Sequence, residues 1–192
     1  LPIWGSDVLL LPKSPRRKAC VVDVLKQSDA VITVCDGLKD EVIKLGADPA
    51  RVHRLYQGVD RQHFQHGDRA AARQKLGLQT TGPIFVWVGR MVELKRVNVI
   101  VQAFARVRDV IPEAELHLCG TGPEQAELTQ LVQSLSLQAS VRFVGAVSQA
   151  ALPQWYQAAD ATLLASTSEG LPNVLRESLA CGTPFVSTAV GS

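Results

Sequence analysis

The chain has 192 residues, 46% of them hydrophobic, 20% charged and 5% aromatic, with a formal net charge of +2 at pH 7. That length suits one ordinary domain or slightly more, and the apolar share excludes a disordered polar chain. So small a charge and so few rings exclude a nucleic-acid binder that works by phosphate attraction or base stacking. No apolar run nears the ~20 residues of a membrane span.

In chain order, the sequence opens on Leu1-Pro2-Ile3 and soon reaches a small cationic cluster, Ser14-Pro15-Arg16-Arg17-Lys18. Such a cluster suits, at most, a weak peripheral contact with an anionic membrane surface. Short β-branched or apolar runs follow at 30–35, 52–56, 84–88, 114–119, 141–144, 161–165 and 184–187. Between them, Val97, Ile100, Val101, Phe104 and Val107 share one helical face, as do Leu128, Leu131, Val132 and Leu135. Strands apolar on both faces that alternate with amphipathic helices predict a doubly wound α/β fold, a parallel sheet with helices on both faces. The rhythm breaks at Gln57-Gly58-Val59-Asp60 and the polar stretch up to Arg69, and a helix is expected from Arg69 to Leu76. A boundary is therefore expected near residue 63. Residues 1–63 read as the end of one α/β unit and 64–192 as most of a second. The end at Val190-Gly191-Ser192, straight after a strand-like run, reads as a piece cut from something longer.

The four cysteines form no CxxC pair, and Cys35, Cys119 and Cys181 sit in apolar runs, which reads as buried reduced thiols in a reducing, cytoplasmic setting. His63 and His66 have H-x-x-H spacing but no partner Cys or Glu, so no metal site is expected.

Ligands of open parallel sheets bind beyond the carboxyl ends of the strands. The loops expected there are Gly89-Arg90-Met91-Val92-Glu93-Leu94-Lys95, Gly120-Thr121-Gly122-Pro123, Gly145 to Ser148, and Ser166 to Pro172. Small, polar and charged, they describe a site for a polar, phosphorylated ligand. Each has a plainer alternative. Arg90 and Lys95 are equally readable as solvated charges, and Gly120-Thr121-Gly122 as a turn at a helix start. Ser148 is expected to cap a helix. Glu169 and Glu177 flank a helix start at Pro172 and stand too far apart to share a proton. They could instead hold two separate sets of sugar hydroxyls, or be a favourable charge near a helix start and a surface residue, respectively.

Taken in order, Gly89-Arg90 to Lys95, Gly120-Thr121-Gly122-Pro123 and Ser168-Glu169-Gly170-Leu171-Pro172 through Glu177 resemble the retaining glycosyltransferases of family 4, a GT-B family with an E-x7-E signature. Nearly the whole chain shares the likeness. The resemblance implies an enzyme that transfers a sugar from a UDP-sugar or GDP-sugar to a saccharide or lipid-linked acceptor, with retention and without a metal or other cofactor. It implies a catalytic set of Arg90, Lys95 and Glu169, the two cations stabilising the leaving diphosphate. It further implies that Gly170 and Leu171 position the sugar through their amides, that Glu177 holds the ribose hydroxyls, and that Gly89, Gly120, Gly122, Val147 and Ser148 line the donor. Four departures stand out. Trp4-Gly5-Ser6-Asp7 replaces a His-led phrase, Gln57 stands where Asn is usual before Gly58-Val59-Asp60, Arg96 stands where Gly is common, and Cys35 takes the place of a frequent Ser. A remnant that binds nucleotide without transferring sugar is the alternative expectation.

Overall fold

The computed structural model describes residues 1–79 and 81–191, at Ser6 by its backbone alone. The chain partitions into two compact units. The first holds Leu1–Gly58, Ser168–Pro172 and the residues after Thr188, and the second holds Val59–Thr167 and Asn173–Thr188.

In the first unit, strand β1 (Pro2–Ile3), helices α1 (Ser6–Leu9) and α2 (Pro15–Gln27), strand β2 (Val31–Thr33), helix α3 (Asp36–Lys44) and strand β3 (Val52–Arg54) follow in turn. The strands pair in parallel in the order β1-β2-β3. Helix α3 forms because Leu38 and Val42, one turn apart, both bury against Val31, Val34 and Val52. Helix α2 starts on Pro15, a residue pre-set for the first helical position, and buries only Leu25 fully.

The second unit begins with helix α4 (Arg69–Lys75), whose first turn is capped by Asp68: its Oδ1 accepts from the Ala71 amide at 2.7 Å. Strand β4 (Ile84–Val88), helix α5 (Val97–Val110), strand β5 (Glu115–Cys119), helix α6 (Gln125–Ser134), strand β6 (Val141–Gly145), helix α7 (Leu152–Ala158), strand β7 (Ala161–Leu164), helix α8 (Asn173–Ala180) and strand β8 (Phe185–Ser187) complete it. The sheet is parallel throughout, in the order β6-β5-β4-β7-β8. The chain thus winds outward on one side of β4, then crosses to the other. The carboxyl edge of β4 and β7 is therefore the switch point at which such sheets receive ligands.

Strand β4 shows why both faces carry helices. Phe85 and Trp87 join the apolar cluster of α5 and α6, whereas Ile84 and Val86 join a second cluster with Leu152 and Tyr156 of α7 and Cys181 after α8. A two-residue period with both phases apolar demands cover on both sides. The expected α/β class, and each strand expected from Ala30 onward, are present with ends shifted by a residue or two. Three features depart from expectation. Strand β1 and helix α2 were not among the expected elements. The stretch from Arg61 to Arg69 is more than connection, because Phe64 is buried and packs 6.1 Å from the Tyr156 ring.

Candidate functional site

The loops after β4, β5 and β6 are bonded to one another. The Gly89 amide donates to the Cys119 carbonyl at 3.0 Å, Met91 to Thr121 at 2.9 Å, and Gly120 to Gly145 at 2.7 Å. This stitching sets the glycine requirement. Gly120 has φ of +141°, and a Cβ there would lie 1.7 Å from the Gly89 carbonyl oxygen. A Cβ on Gly122 would meet the Met91 carbonyl oxygen at 2.2 Å. Both glycines are thus required by loop-on-loop packing, whatever else they approach.

Above this edge lies a cavity of about 500 Å³. Gly89, Arg90, Gly120, Thr121, Gly122 and Val147 wall it, together with the apolar Val88, Cys119, Ala146 and Leu152. Arg90 is exposed beside three backbone loops, which suits an anionic group held by a guanidinium. Burial pushes the Cys119 thiol up to about 12, so this wall residue is an inert apolar group rather than a nucleophile.

The other expected residues are distributed as follows. Lys95 closes the 3₁₀ turn Glu93–Lys95 and is half-buried. The Thr167 amide donates to the Leu94 carbonyl at 2.9 Å, which ties the loop after β7 to that turn. Ser148 stands at the cap position of the turn Gln149–Ala151, but its hydroxyl makes no cap bond, which corrects the expected cap: its carbonyl, not its side chain, receives the Ala151 and Leu152 amides. Arg96 adopts the left-handed conformation, φ +48° and ψ +46°, at the start of α5, a site that favours glycine.

Glu177, on α8, is half-buried and accepts from the Tyr156 hydroxyl at 2.8 Å. Neither Lys95, Ser148 nor Glu177 is among the cavity walls formed by the described residues. Glu169, Gly170 and Leu171 belong to the first unit, where Gly170 lies against Trp4 and Leu171 packs on the apolar cluster. A Cβ on Gly170 would lie 2.0 Å from the Trp4 carbonyl oxygen, and the Gly170 carbonyl accepts from the Cys35 thiol at 3.4 Å. Asp7 in turn accepts from the Trp4 and Gly5 amides at 3.1 and 2.7 Å. The segment that lacks the expected histidine therefore shapes the Glu169–Leu171 loop through backbone contact.

His63 Nε2 lies 2.8 Å from the Gln149 carbonyl oxygen, and the His66 ring covers Gly182. Among the described residues, no group of three or more His, Cys, Asp or Glu could hold a metal ion. No helix among the described residues is long and apolar enough to cross a membrane.

The family model described as Glycosyl transferases group 1 matches residues 68–192. The chain belongs to this family. This group 1 glycosyl transferase chain is 36% identical to the D-inositol 3-phosphate glycosyltransferase 2 of Catenulispora acidiphila, over 97% of the chain and 47% of the relative. It is 35% identical to the D-inositol 3-phosphate glycosyltransferase of Mycobacterium tuberculosis, over 94% of the chain and 38% of the relative. The chain thus spans less than half the length of these curated relatives. Among solved structures, it resembles Anabaena HepE in complex with UDP and glucose, with a TM-score of 0.83 and 24% identity, covering 93% of the chain and 49% of that protein. It also resembles the sucrose-phosphate synthase of Thermosynechococcus elongatus, with a TM-score of 0.83 and 27% identity, covering 97% of the chain and 47% of that protein. The fold is that of the GT-B glycosyltransferases.

In this glycosyl transferase group 1 chain, sequence reasoning missed the apolar cavity walls Val88, Cys119 and Leu152 and the Glu177 partner Tyr156. The walls had a signal, since they stand at strand ends or at a helix start. Tyr156 had only the apolar pattern of α7.

Proposed function

We propose that this chain is the donor-binding part of a retaining, metal-independent glycosyltransferase of family 4, which transfers a sugar from a nucleoside-diphosphate sugar to an acceptor. The single observation that carries the reading is the cavity at the carboxyl ends of β4, β5 and β6, with Arg90 and the Gly120-Thr121-Gly122 turn in its walls. A guanidinium in that position binds a diphosphate and stabilises the charge that develops on it as the sugar leaves. Lys95 adds a second cation on the same loop, Glu169 with the Gly170 and Leu171 amides positions the sugar, and Glu177 takes the ribose hydroxyls. Val147 and Ser148 border the base. The solved neighbour named with UDP and glucose favours a uridine donor, and the relatives named for inositol 3-phosphate add a phosphorylated polyol to saccharide and lipid-linked acceptors. The buried, free thiols of Cys35, Cys119 and Cys181 support a reducing, cytoplasmic setting. The exposed Arg16, Arg17 and Lys18 of α2 support a peripheral contact with anionic lipid.

Calorimetric titration of the chain with UDP, GDP and ADP tests donor binding. We expect one diphosphate to bind and Arg90→Ala to weaken it at least tenfold, or ~1.4 kcal/mol. A parallel transfer assay separates two readings, both favoured by the cavity. Binding with transfer supports the enzyme, and binding without transfer by a chain less than half its relatives' length supports a module that only holds the donor. No binding of any diphosphate contradicts both.

A further inference from the structure

Glu177 is held by a closed ring of hydrogen bonds that extends well beyond its own helix. The Tyr156 hydroxyl donates to Glu177 Oε2 at 2.8 Å. One residue further along α8, the buried Ser178 hydroxyl donates to the Thr183 carbonyl at 2.8 Å. Its single proton is then committed, so Thr162 on β7 is the donor in the 2.7 Å bond between the Thr162 and Ser178 hydroxyls. The Thr183 hydroxyl closes the ring by donating to the Tyr156 carbonyl at 2.6 Å. Strand β7, helix α8, the turn after it and helix α7 are therefore locked in one register around a single carboxylate.

The Tyr156 ring is fully buried, in an apolar cluster with Cys119 and Leu152, against which Val88 and Val147 pack. Those four residues are also walls of the cavity. The phenol that holds Glu177 is thus anchored to the same side chains that shape the cavity. Burial and the neighbouring Glu177 charge push the phenol's ionisation well above its ordinary range, so it keeps its proton and can donate near neutrality.

We propose that Tyr156 is a positioning residue for ligand recognition: by occupying Glu177 Oε2, it fixes the carboxylate and leaves the other oxygen to accept from the vicinal hydroxyls of the bound nucleotide's ribose. This rests on the reading that Glu177 holds the ribose. A buried phenol also needs a partner for its own sake, and that purely structural role would affect every ligand equally. The ribose-specific part is what separates the two.

The test compares a ribonucleoside diphosphate with its 2′,3′-dideoxy counterpart by calorimetry on the 192-residue chain. UDP is the probe, or GDP if that is the one bound. The parent chain is expected to bind the ribonucleotide at least tenfold tighter than the dideoxy form. Tyr156→Phe, which keeps the ring, is expected to shrink that preference below threefold while dideoxy affinity stays within twofold of the parent. Glu177→Ala is expected to abolish the preference. If Glu177→Ala abolishes it and Tyr156→Phe leaves it intact, or weakens both ligands in parallel, the positioning role is overturned and the reading of Glu177 survives. If the parent shows no preference, or Glu177→Ala keeps it, the reading of Glu177 fails and the proposal with it. A second measurement needs no loss of the hydroxyl: fluorine NMR of the chain grown with 3-fluorotyrosine, with Tyr56→Phe assigning the two signals. The Tyr156 signal is expected to shift more on adding the ribonucleotide than the dideoxy form, and equal shifts would overturn the proposal.

Discussion

Against α5 and α6, the sheet of the second unit presents Phe85, Trp87, Leu116 and Leu118, which enter a cluster with Val97, Val101, Phe104 and Leu128. Against α7 and α8, it presents Val86 and Cys119 but also His117 and Thr162, and the helices answer with Trp155, Tyr156, Ser178 and Glu177. The first face is held by apolar burial, which is strong but not directional. The second face accepts the desolvation of several polar groups, and their hydrogen bonds specify one arrangement of helix on strand. The apolar face should therefore govern stability, and the polar face geometry near the cavity.

The largest expected effect breaks the apolar face. Phe104 on α5 is 2% exposed and meets Phe85 edge-on at 6.2 Å. Phe104→Ala should destabilise the chain by ~3–5 kcal/mol in urea unfolding. Nucleoside-diphosphate affinity should stay within twofold below the melting range. A matching loss of affinity would erase the distinction between the faces.

Next is Ser178→Ala on the polar face. It strips the Thr162 hydroxyl and the Thr183 carbonyl of a buried partner and should cost about 1–3 kcal/mol. Unlike the Phe104 change, it should also weaken ribonucleotide binding measurably by calorimetry, because α8 loses its register.

His117 gives the polar face a pH signature. Its ring is fully buried against Trp155, Nε2 lies 2.9 Å from Glu115 Oε2, and Arg142 and Arg73 add positive charge nearby. Burial lowers its pKa below the ordinary value of 6.5 and outweighs the opposing Glu115. The unfolded chain then takes up the proton first, so this contribution to stability is present above pH 6.5 and is lost as pH falls below it. The slope is at most ~1.4 kcal/mol per pH unit. Urea midpoints at pH 7.5, 6.5 and 5.5 should fall more steeply for the parent than for His117→Gln, and equal slopes would remove His117 from the account.

The smallest effect sharpens the apolar side. Arg96 holds φ of +48° at the start of α5, and Arg96→Gly should stabilise by up to ~1 kcal/mol, read as a rise in melting temperature. A drop would show that the arginine makes compensating contacts.

The two faces also differ in how much of them the sequence discloses. Strands β4 and β5 and helices α5 and α6 were legible because apolar residues recur with periods of two and 3.6. The hydrogen-bonded ring was not. Tyr156, Thr162, Ser178 and Thr183 are scattered, and nothing local marks which polar residues will meet. Strand β1 has only two residues, and α2 carries Arg16, Arg17 and Lys18 on a helix that buries Leu25 alone, so neither offers a strong pattern. The loop glycines were visible as motifs, but the backbone packing behind Gly120 and Gly170 depends on partners far along the chain.

The most direct test of the central claim, that the cavity beyond β4, β5 and β6 receives a nucleoside diphosphate, is amide NMR of the chain titrated with UDP and GDP. The diphosphate is expected to shift the amides of Arg90, Gly120, Gly122 and Ala146 first and most strongly, and Arg90→Ala to suppress those shifts. Shifts confined to α2, or none at millimolar ligand, would contradict it.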